Sequence, residues 1–447
     1  MARMFGTDGV RGIANEKLNG ELAFKLGQAS AKVLTGAVHK ARILIGMDTR
    51  ISGDMLESAL VAGICSAGAE ADILGVIPTS AVAHLTRQYG ADAGAMISAS
   101  HNSFEYNGIK FFNGNGYKLA DSIEDQIEEL VKTGIGEDLP TGLMVGRRVR
   151  LKNAKEEYAE FLASTIKERL DGLKIVLDCA NGSASVIAPS LFRKLGAEVF
   201  AYHYSPDGTN INDNCGSTHP KHLRLLVQEM GADVGLAFDG DADRMIAVDE
   251  RGLLVDGDKV MAICAVDMKE RGLLAKNTLV GTVMSNLGLD IAMREHGINL
   301  VKTDVGDRYV LEEMLKSGYN LGGEQSGHVI FLDHNTTGDG ILTALQLLAV
   351  MKRKQKRLSA LGSVVHILPQ VLVNARVAEE KKHGYEDDAE IAAAIQALEQ
   401  SMAGKGRVLI RTSGTEPLVR VMLEGEDRAF IESEAVRLAK LIETKLA

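Results

Sequence analysis

At 447 residues the chain is long enough for three or four domains with full cores, and its 45% apolar and 25% charged residues exclude a disordered or fibrous protein. A net charge of −10 argues against general nucleic-acid binding, so an anionic ligand needs Arg and Lys gathered locally. Four cysteines without a C-x-x-C pair (Cys65, Cys179, Cys215, Cys264) read as reduced thiols; with no signal-type start and no apolar run of bilayer length, a cytoplasmic protein with no membrane partner is expected.

From Arg42, "RILIGMDTRISGDMLESALVAGICSAGAEADILG" predicts strand, polar loop, amphipathic helix and second strand, a βαβ unit with parallel strands. The same order recurs from Leu173 and from Asn277. A second element also repeats: "GADAGAMISASHN" from Gly90, "GADVGLAFDGDADR" from Gly231 and "GYNLGGEQSGH" from Gly318 place Ser98, Asp239 and Ser326 eight residues after their glycines. Three related α/β domains thus offer three polar loops from one structural position, where a strand's carboxyl end opens into a crevice. The Gly-rich stretch from Lys132, preceding the helical "NAKEEYAEFLASTIKERL", sets a boundary near 150, and the turn at Asp249–Gly252 sets a second. Beyond the basic helix end "MKRKQK" at 352–357, read as solvated and favoured by the macrodipole, the pattern shifts to "VLVNARV", an Ala-rich helix, "GRVLIRTSGTEPLVRVMLEG" and a last helix. The expected fold is α/β: three related domains with mixed sheets (1–150, 151–252, 253–368) and a smaller C-terminal α+β domain (369–447) around a central cleft.

The loops carry the chemistry. "MISASHN" runs a strand into two serines and a histidine, which on its own is an ordinary turn as readily as a presented nucleophile. "FDGDADR" sets Asp239, Asp241 and Asp243 at alternating positions, where unpaired carboxylates repel and a divalent cation relieves them. An EF-hand is excluded by Arg244 at its glycine position and by flanks that read as strands; three oxygen ligands with an open face suit Mg²⁺. "RTSGTEPLVR" gathers Arg411, Ser413, Gly414, Thr415 and Arg420 about a turn complementary to a phosphate, or simply a decorated hairpin. "GGEQSGH" supplies Glu324 and Ser326 for sugar hydroxyls, with His328 a proton shuttle or a structural histidine, and "VGDRYV" adds Arg308, whose plain reading is a salt bridge. A hydroxyl, a cation site, a sugar-like loop and a phosphate clamp together describe phosphoryl transfer on a phosphosugar.

Through "SASHN" (98–102), "DGDADR" (239–244), "GEQSGH" (323–328) and "RTSGTEP" (411–417), in that order across the whole chain, the sequence resembles the α-D-phosphohexomutases. The resemblance implies that Ser100 is the phosphoserine, that Ser100 with Asp239, Asp241 and Asp243 holds Mg²⁺, and that Arg11, His101, Lys110 and Arg244 serve the reacting centre. It assigns Arg308, Glu324, Ser326, His328, Arg411, Ser413, Gly414, Thr415 and Arg420 to the substrate. Gln325 points to the aminosugar branch: interconversion of glucosamine 6-phosphate and 1-phosphate, with a hexosamine or hexose 1,6-bisphosphate as intermediate and activator, supplying bacterial envelope synthesis. A glucose or mannose phosphate mutase of the same family is the alternative within the class, and a non-catalytic phosphosugar-binding protein the alternative outside it; a homodimer is the assembly considered. One departure stands out: Ser103 occupies the position where relatives usually have proline, removing a φ restriction from the loop.

Overall fold

The three repeated patterns fold as three copies of one sheet arrangement in the computed structural model, which describes residues 3–6, 8–34, 40–136, 138–402, 405–412 and 417–446. In the first copy β1 (Val10–Ile13) and α1 (Gly20–Leu34) lead into β2 (Arg42–Met47), α2 (Gly53–Ser66), β3 (Glu70–Val76), α3 (Thr79–Gln88), β4 (Ala93–Ile97), β5 (Tyr106–Asn113), α4 (Asp121–Thr133) and β6 (Arg148–Arg150), in sheet order β1-β5-β4-β2-β3-β6. After α5 (Ala154–Ser164), the second runs β7 (Lys174–Asp178), α6 (Ala188–Lys194), β8 (Glu198–Tyr202), α7 (Lys221–Met230), β9 (Val234–Phe238), β10 (Met245–Asp249) and β11 (Leu254–Val255), ordered β11-β10-β9-β7-β8. The third begins with α8 (Gly257–Glu270) and continues through β12 (Thr278–Thr282), α9 (Leu287–Glu295), β13 (Asn299–Thr303), α10 (Asp307–Ser317), β14 (Leu321–Gly323) and β15 (Val329–Phe331), ordered β13-β12-β14-β15, before α11 (Gly340–Lys354) and α12 (Leu358–Gly362).

In every copy two parallel strands joined through a helix are extended by a third parallel strand, β4, β9 or β14, which turns back into an antiparallel partner. Gly90, Gly231 and Gly318 stand at φ +59°, +59° and +69°, just past the ends of α3, α7 and α10. A left-handed glycine stops each helix and feeds the strand, so the eight-residue offset is a geometric repeat that delivers Ser98, Asp239 and Ser326 beyond strand carboxyl ends. The central strands β4, β9 and β12 are buried at every position, as aliphatic strands covered on both faces must be.

The contacts form two units, Met1–Met284 with His296–Val364, and Ser285–Glu295 with Val365–Ala447. The second holds β16 (Gln370–Arg376), α13 (Ala389–Met402), β17 (Gly406–Thr412), β18 (Leu418–Gly425) and α14 (Arg428–Leu446), an antiparallel sheet ordered β16-β18-β17 over a core that includes Ile391, Leu398, Val421 and Leu438. The segment with α9 clusters here because buried Glu424 accepts hydrogen bonds from Leu287 N (2.9 Å), Asn286 Nδ2 (3.3 Å) and Arg407 Nε (2.7 Å). The turn at Asp249–Gly252 lies inside the second sheet, since β11 folds back on β10. The basic run closes α11, yet Arg353 is not simply solvated: it is ion-paired to Glu168 at 2.9 Å and Asp267 at 2.7 Å.

Within the first unit, Tyr158 on α5 is buried and donates to Asp339 Oδ2 at 2.5 Å while lying 2.8 Å from Ser80 Oγ; Asn335 Nδ2 donates to the same Asp339 oxygen at 3.2 Å. Asp339 also caps α11 through Leu342 N. Tyr158→Phe is expected to lower stability by about 1–3 kcal/mol, because a buried carboxylate loses a donor without gaining water. Urea unfolding followed by circular dichroism checks it, and an unchanged midpoint would remove this network from the account.

Candidate active site

Ser100 follows β4 in a conformation that L-residues avoid, φ +53°, and is 1% exposed. The surroundings hold it there. Arg50, fully buried just past β2, bonds Asp48 through Nε at 2.8 Å, the carbonyls of Ser100 and Asn102 through Nη2 (both 2.9 Å), and those of Tyr106 (3.0 Å) and Ser103 through Nη1. Asn212 Nδ2 donates to the Ser100 and Asn102 carbonyls as well, at 2.9 and 3.0 Å. A planar five-donor guanidinium fits such a set of carbonyls as a lysine could not. Arg50 and Asn212 thus restrain the loop in which Ser103 stands. Ser98 is part of this brace: its hydroxyl donates to Asp48 Oδ2 at 2.6 Å and accepts from Ser100 N at 2.9 Å. Of the two serines, Ser100 is the one aimed at the acidic loop, with Oγ donating to Asp239 Oδ2 at 2.7 Å.

Asp239, Asp241 and Asp243 lie between β9 and β10, all buried, with one oxygen of each within 4.8 Å of the others. Gly240 permits the approach to the serine loop: a Cβ there would stand 2.6 Å from the Ser100 carbonyl oxygen. Burial, then Asp243 and Asp241, push the Asp239 carboxyl well above its usual range. Burial also opposes charge on Asp243, but Lys110 and His328 outweigh it and hold that carboxyl well below. Lys110 is 2% exposed, with Nζ 2.9 Å from Asp241, 3.1 Å from Asp8 and 3.8 Å from Asp243; burial disfavours its charge, and those carboxylates more than restore it. Thr79, at the start of α3, donates to Asp241 through Oγ1 at 2.6 Å and through its backbone N at 3.0 Å. Asp241 Oδ1 and Asp243 Oδ1 are buried without a hydrogen-bond partner among the described residues. Three convergent carboxylates with two unfilled oxygens are a donor set that fits a hard divalent cation.

A cavity of about 630 Å³ opens beside this loop, with Arg11, Asp243, Arg244, Glu324, Ser326 and His328 in its wall. Arg11 Nε and Arg244 Nε are buried without a hydrogen-bond acceptor among the described residues, Arg244 Nε standing 3.9 Å from Asp243 Oδ1, so both can take an oxyanion. Arg244 keeps its charge firmly: burial opposes it, but Asp243, Asp239, Glu324 and Asp241 raise its pKa. Glu324 accepts from Gly306 N at 3.1 Å and lies 3.4 Å from Ser326 Oγ. His101 Nδ1 stands 3.4 Å from Ser100 Oγ, and burial, Arg244 and Arg11 depress its pKa, favouring the neutral ring.

His328 is 2% exposed; its Nε2 accepts from Gly338 N at 3.1 Å in the neutral ring, Nδ1 lies 3.6 Å from Asp243, and Asp307 stands 3.4 Å from Nε2 as a partner for the protonated ring alone, so it is a tie between loops. Burial lowers its pKa, and the two carboxylates outweigh burial and raise it. A chain of charge not anticipated from the sequence backs the wall: Asp8, which lines the cavity, pairs with Arg11 and with Lys118 (2.8 Å) behind it, and Lys118 bonds Asp307 at 2.5 Å. The signal for Asp8 was its place three residues before Arg11; Lys118 and Asp307 carried none. Arg308 departs from expectation: α10 turns Asp307 to the cavity, while Arg308 pairs with Asp121 at 2.5 Å and Glu312 at 3.0 Å, outside the cavity wall. In the second unit Arg411 on β17 faces Arg420 on β18 in register, and burial followed by repulsion from Arg420 lowers the Arg411 pKa. Ser413, Gly414 and Thr415 lie outside the described residues.

Four family models match in sequence: the phosphoglucomutase/phosphomannomutase α/β/α domain I over residues 2–136, domain II over 156–252, domain III over 256–366, and the C-terminal domain over 372–441. The phosphoglucosamine mutases of Caldanaerobacter subterraneus subsp. tengcongensis and Ruminiclostridium cellulolyticum are 60% and 59% identical over 446 and 450 residues, covering 100% of each chain. Among solved structures, a phosphoglucomutase/phosphomannomutase family protein from Burkholderia thailandensis superposes with TM-score 0.83 at 23% identity, covering 100% of this chain and 99% of that one. Aspergillus fumigatus N-acetylphosphoglucosamine mutase, solved with GlcNAc-6P and magnesium, superposes at 0.69 and 18% identity, covering 99% and 96%. The chain belongs to the phosphoglucomutase/phosphomannomutase family, whose four domain models it matches in order.

Proposed function

We infer that this chain is a phosphoglucosamine mutase, an isomerase that interconverts glucosamine 6-phosphate and glucosamine 1-phosphate. The observation that carries the reading is the Ser100 hydroxyl, 2.7 Å from Asp239 inside a three-carboxylate loop, in a chain 60% identical over its full length to proteins of that name. In the proposed reaction phospho-Ser100 transfers its phosphoryl group to the sugar's free hydroxyl: the Oγ–P bond breaks, a sugar O–P bond forms, and the hydroxyl proton leaves. The resulting 1,6-bisphosphate turns end for end, and Ser100 Oγ takes the other phosphoryl group. His101, kept neutral beside Oγ, is placed to hold the proton. The unfilled Nε atoms of Arg11 and Arg244 receive phosphate oxygens, and buried Lys110 adds a fixed positive charge at Asp241.

Asp239, Asp241 and Asp243 would hold Mg²⁺, which supplies charge neutralisation for the transferring group when bound. Glu324 and Ser326 are assigned to sugar hydroxyls, and Arg411 and Arg420 to the phosphate that does not react. The serine, the aspartates and the sugar loop are carried by separate sheets, each loop following its own strand β4, β9 or β14.

In a coupled assay with the three sugar 1-phosphates, kcat/KM is expected to rank glucosamine above glucose and mannose; equality or reversal replaces this reading with a glucose or mannose phosphate mutase. Chelation is expected to abolish turnover and added Mg²⁺ to restore it, whereas full activity in metal-stripped protein would refute the three-aspartate assignment. Arg50→Lys is expected to lower kcat by about 10–100-fold with KM changed little, since the serine loop loses its fork of donors and shifts. An unchanged kcat would show that the loop holds its geometry without Arg50.

A further inference from the structure

The cavity wall contains two carboxylates without an ion-pair partner among the described residues, Glu324 and Asp256. Asp8 faces Lys110 and Lys118, Asp307 faces Lys118 and His328, Asp243 belongs to the acidic loop, and Glu324 takes the Gly306 N–H. Asp256 also lines the cavity, yet it has no ion-pair partner among the described residues. Its Oδ1 caps α8 by accepting from Lys259 N at 3.1 Å. Its Oδ2 has only the Gln325 side-chain amide, at the long distance of 3.5 Å. The spacing between these two side chains is set by backbone contact: Gly257 N donates to the Gln325 carbonyl at 3.0 Å, and a Cβ on Gly257 would stand 2.1 Å from the Glu324 carbonyl oxygen. Asp256 is thereby locked against the loop that carries Glu324 and Ser326, with one oxygen left for a ligand. Burial raises the Asp256 carboxyl pKa although the Lys259 backbone N–H and charge oppose it, so a ligand that brings a cation to Oδ2 would offset the cost of the ionised form.

We propose that Asp256 Oδ2, oriented by Gln325, is the subsite for the cationic 2-amino group of the sugar and sets the choice of a 2-amino over a 2-hydroxy hexose phosphate. The proposal rests on the mutase reading above and extends it to the residue that selects the substrate. An ammonium offers the Asp256 carboxylate an opposite charge as well as a hydrogen bond; a hydroxyl at the same carbon offers the hydrogen bond alone. Glu324 and Ser326, assigned to other hydroxyls, would not distinguish the two sugars.

The test uses Asp256→Asn, which keeps a good helix-capping side chain while removing the charge. kcat/KM is measured for glucosamine 1-phosphate and glucose 1-phosphate in the wild-type enzyme and the variant. The expected result is a fall of about 10–100-fold for the aminosugar, equivalent to about 1.4–2.8 kcal/mol at 1.4 kcal/mol per decade, with a fall of less than about threefold for glucose 1-phosphate. A variant that loses both activities in equal proportion while still folded, or that keeps the wild-type selectivity ratio, overturns the subsite. Asp256→Ser, which also caps, is measured alongside; failure of both variants to fold assigns Asp256 to the helix end alone and overturns the proposal too. A wild-type enzyme with no preference for the aminosugar overturns the phosphoglucosamine assignment itself, so the two failures are told apart by whether the wild-type ratio or only its dependence on residue 256 is missing.

Discussion

Three carboxylates and a serine hydroxyl held together out of water are the constraint on which the first unit depends. Charges at this separation in a weakly screened interior repel far more strongly than in bulk solvent, so the loop exists only because cations and donors are built around it. The compensation is uneven. Lys110 reaches Asp241, Asp8 and Asp243, and His328 reaches Asp243. Asp239, the residue that receives the Ser100 hydroxyl, has its carboxyl pKa pushed well above the usual range by burial and its two acidic neighbours. The unrelieved side of the loop is thus the side facing the serine, where a divalent cation and a phosphoryl group would together restore balance.

The sheet arrangement explains how such a loop can be built. Each copy ends a central strand at the same point and turns it into an antiparallel partner, so the polar turn is held at both ends by ladder hydrogen bonds. Fixed strand ends leave the turn residues free to vary, and the three copies carry a serine, a set of aspartates, and a glutamate with a serine. The unusual backbone of Ser100 is tolerated for the same reason: Arg50 and Asn212 bind the carbonyls of the loop from two different sheets, making the left-handed conformation the one that satisfies the most hydrogen bonds.

Periodicity and punctuation made the fold readable: the βαβ units, the glycine offset and the strand flanks of "FDGDADR" are local patterns, and local patterns survive in sequence. The loop of Asp239, Asp241 and Asp243 and the glycine-flanked loop of Glu324 and Ser326 stood out by composition, whereas Ser100 was singled out by the resemblance to the phosphohexomutases. Asp48, Arg50, Thr79, Asn212, Lys118 and Asp307 were not, since each acts on a residue distant in the chain and looks ordinary in its own surroundings. "GMDTR" at 46–50 held a usable clue, as Asp48 and Arg50 sit beyond β2 at the same sheet end as the serine loop. Arg308 is the reverse case: it drew attention as the cation of "VGDRYV", while its neighbour Asp307, directly after Gly306, is the one that lines the cavity. The clustering of 285–295 with the C-terminal unit was likewise hidden, because it depends on Glu424, more than 120 residues away in sequence.

The central claim is that the Ser100 hydroxyl is the covalent acceptor. It is tested most directly by incubating the protein with a hexose 1,6-bisphosphate and mapping the added phosphate by tandem mass spectrometry, with Ser100→Ala alongside. The account requires one phosphate per chain, on Ser100, and none on the variant. Phosphate on Ser98 or another side chain, or stoichiometric phosphorylation of the variant, would contradict it.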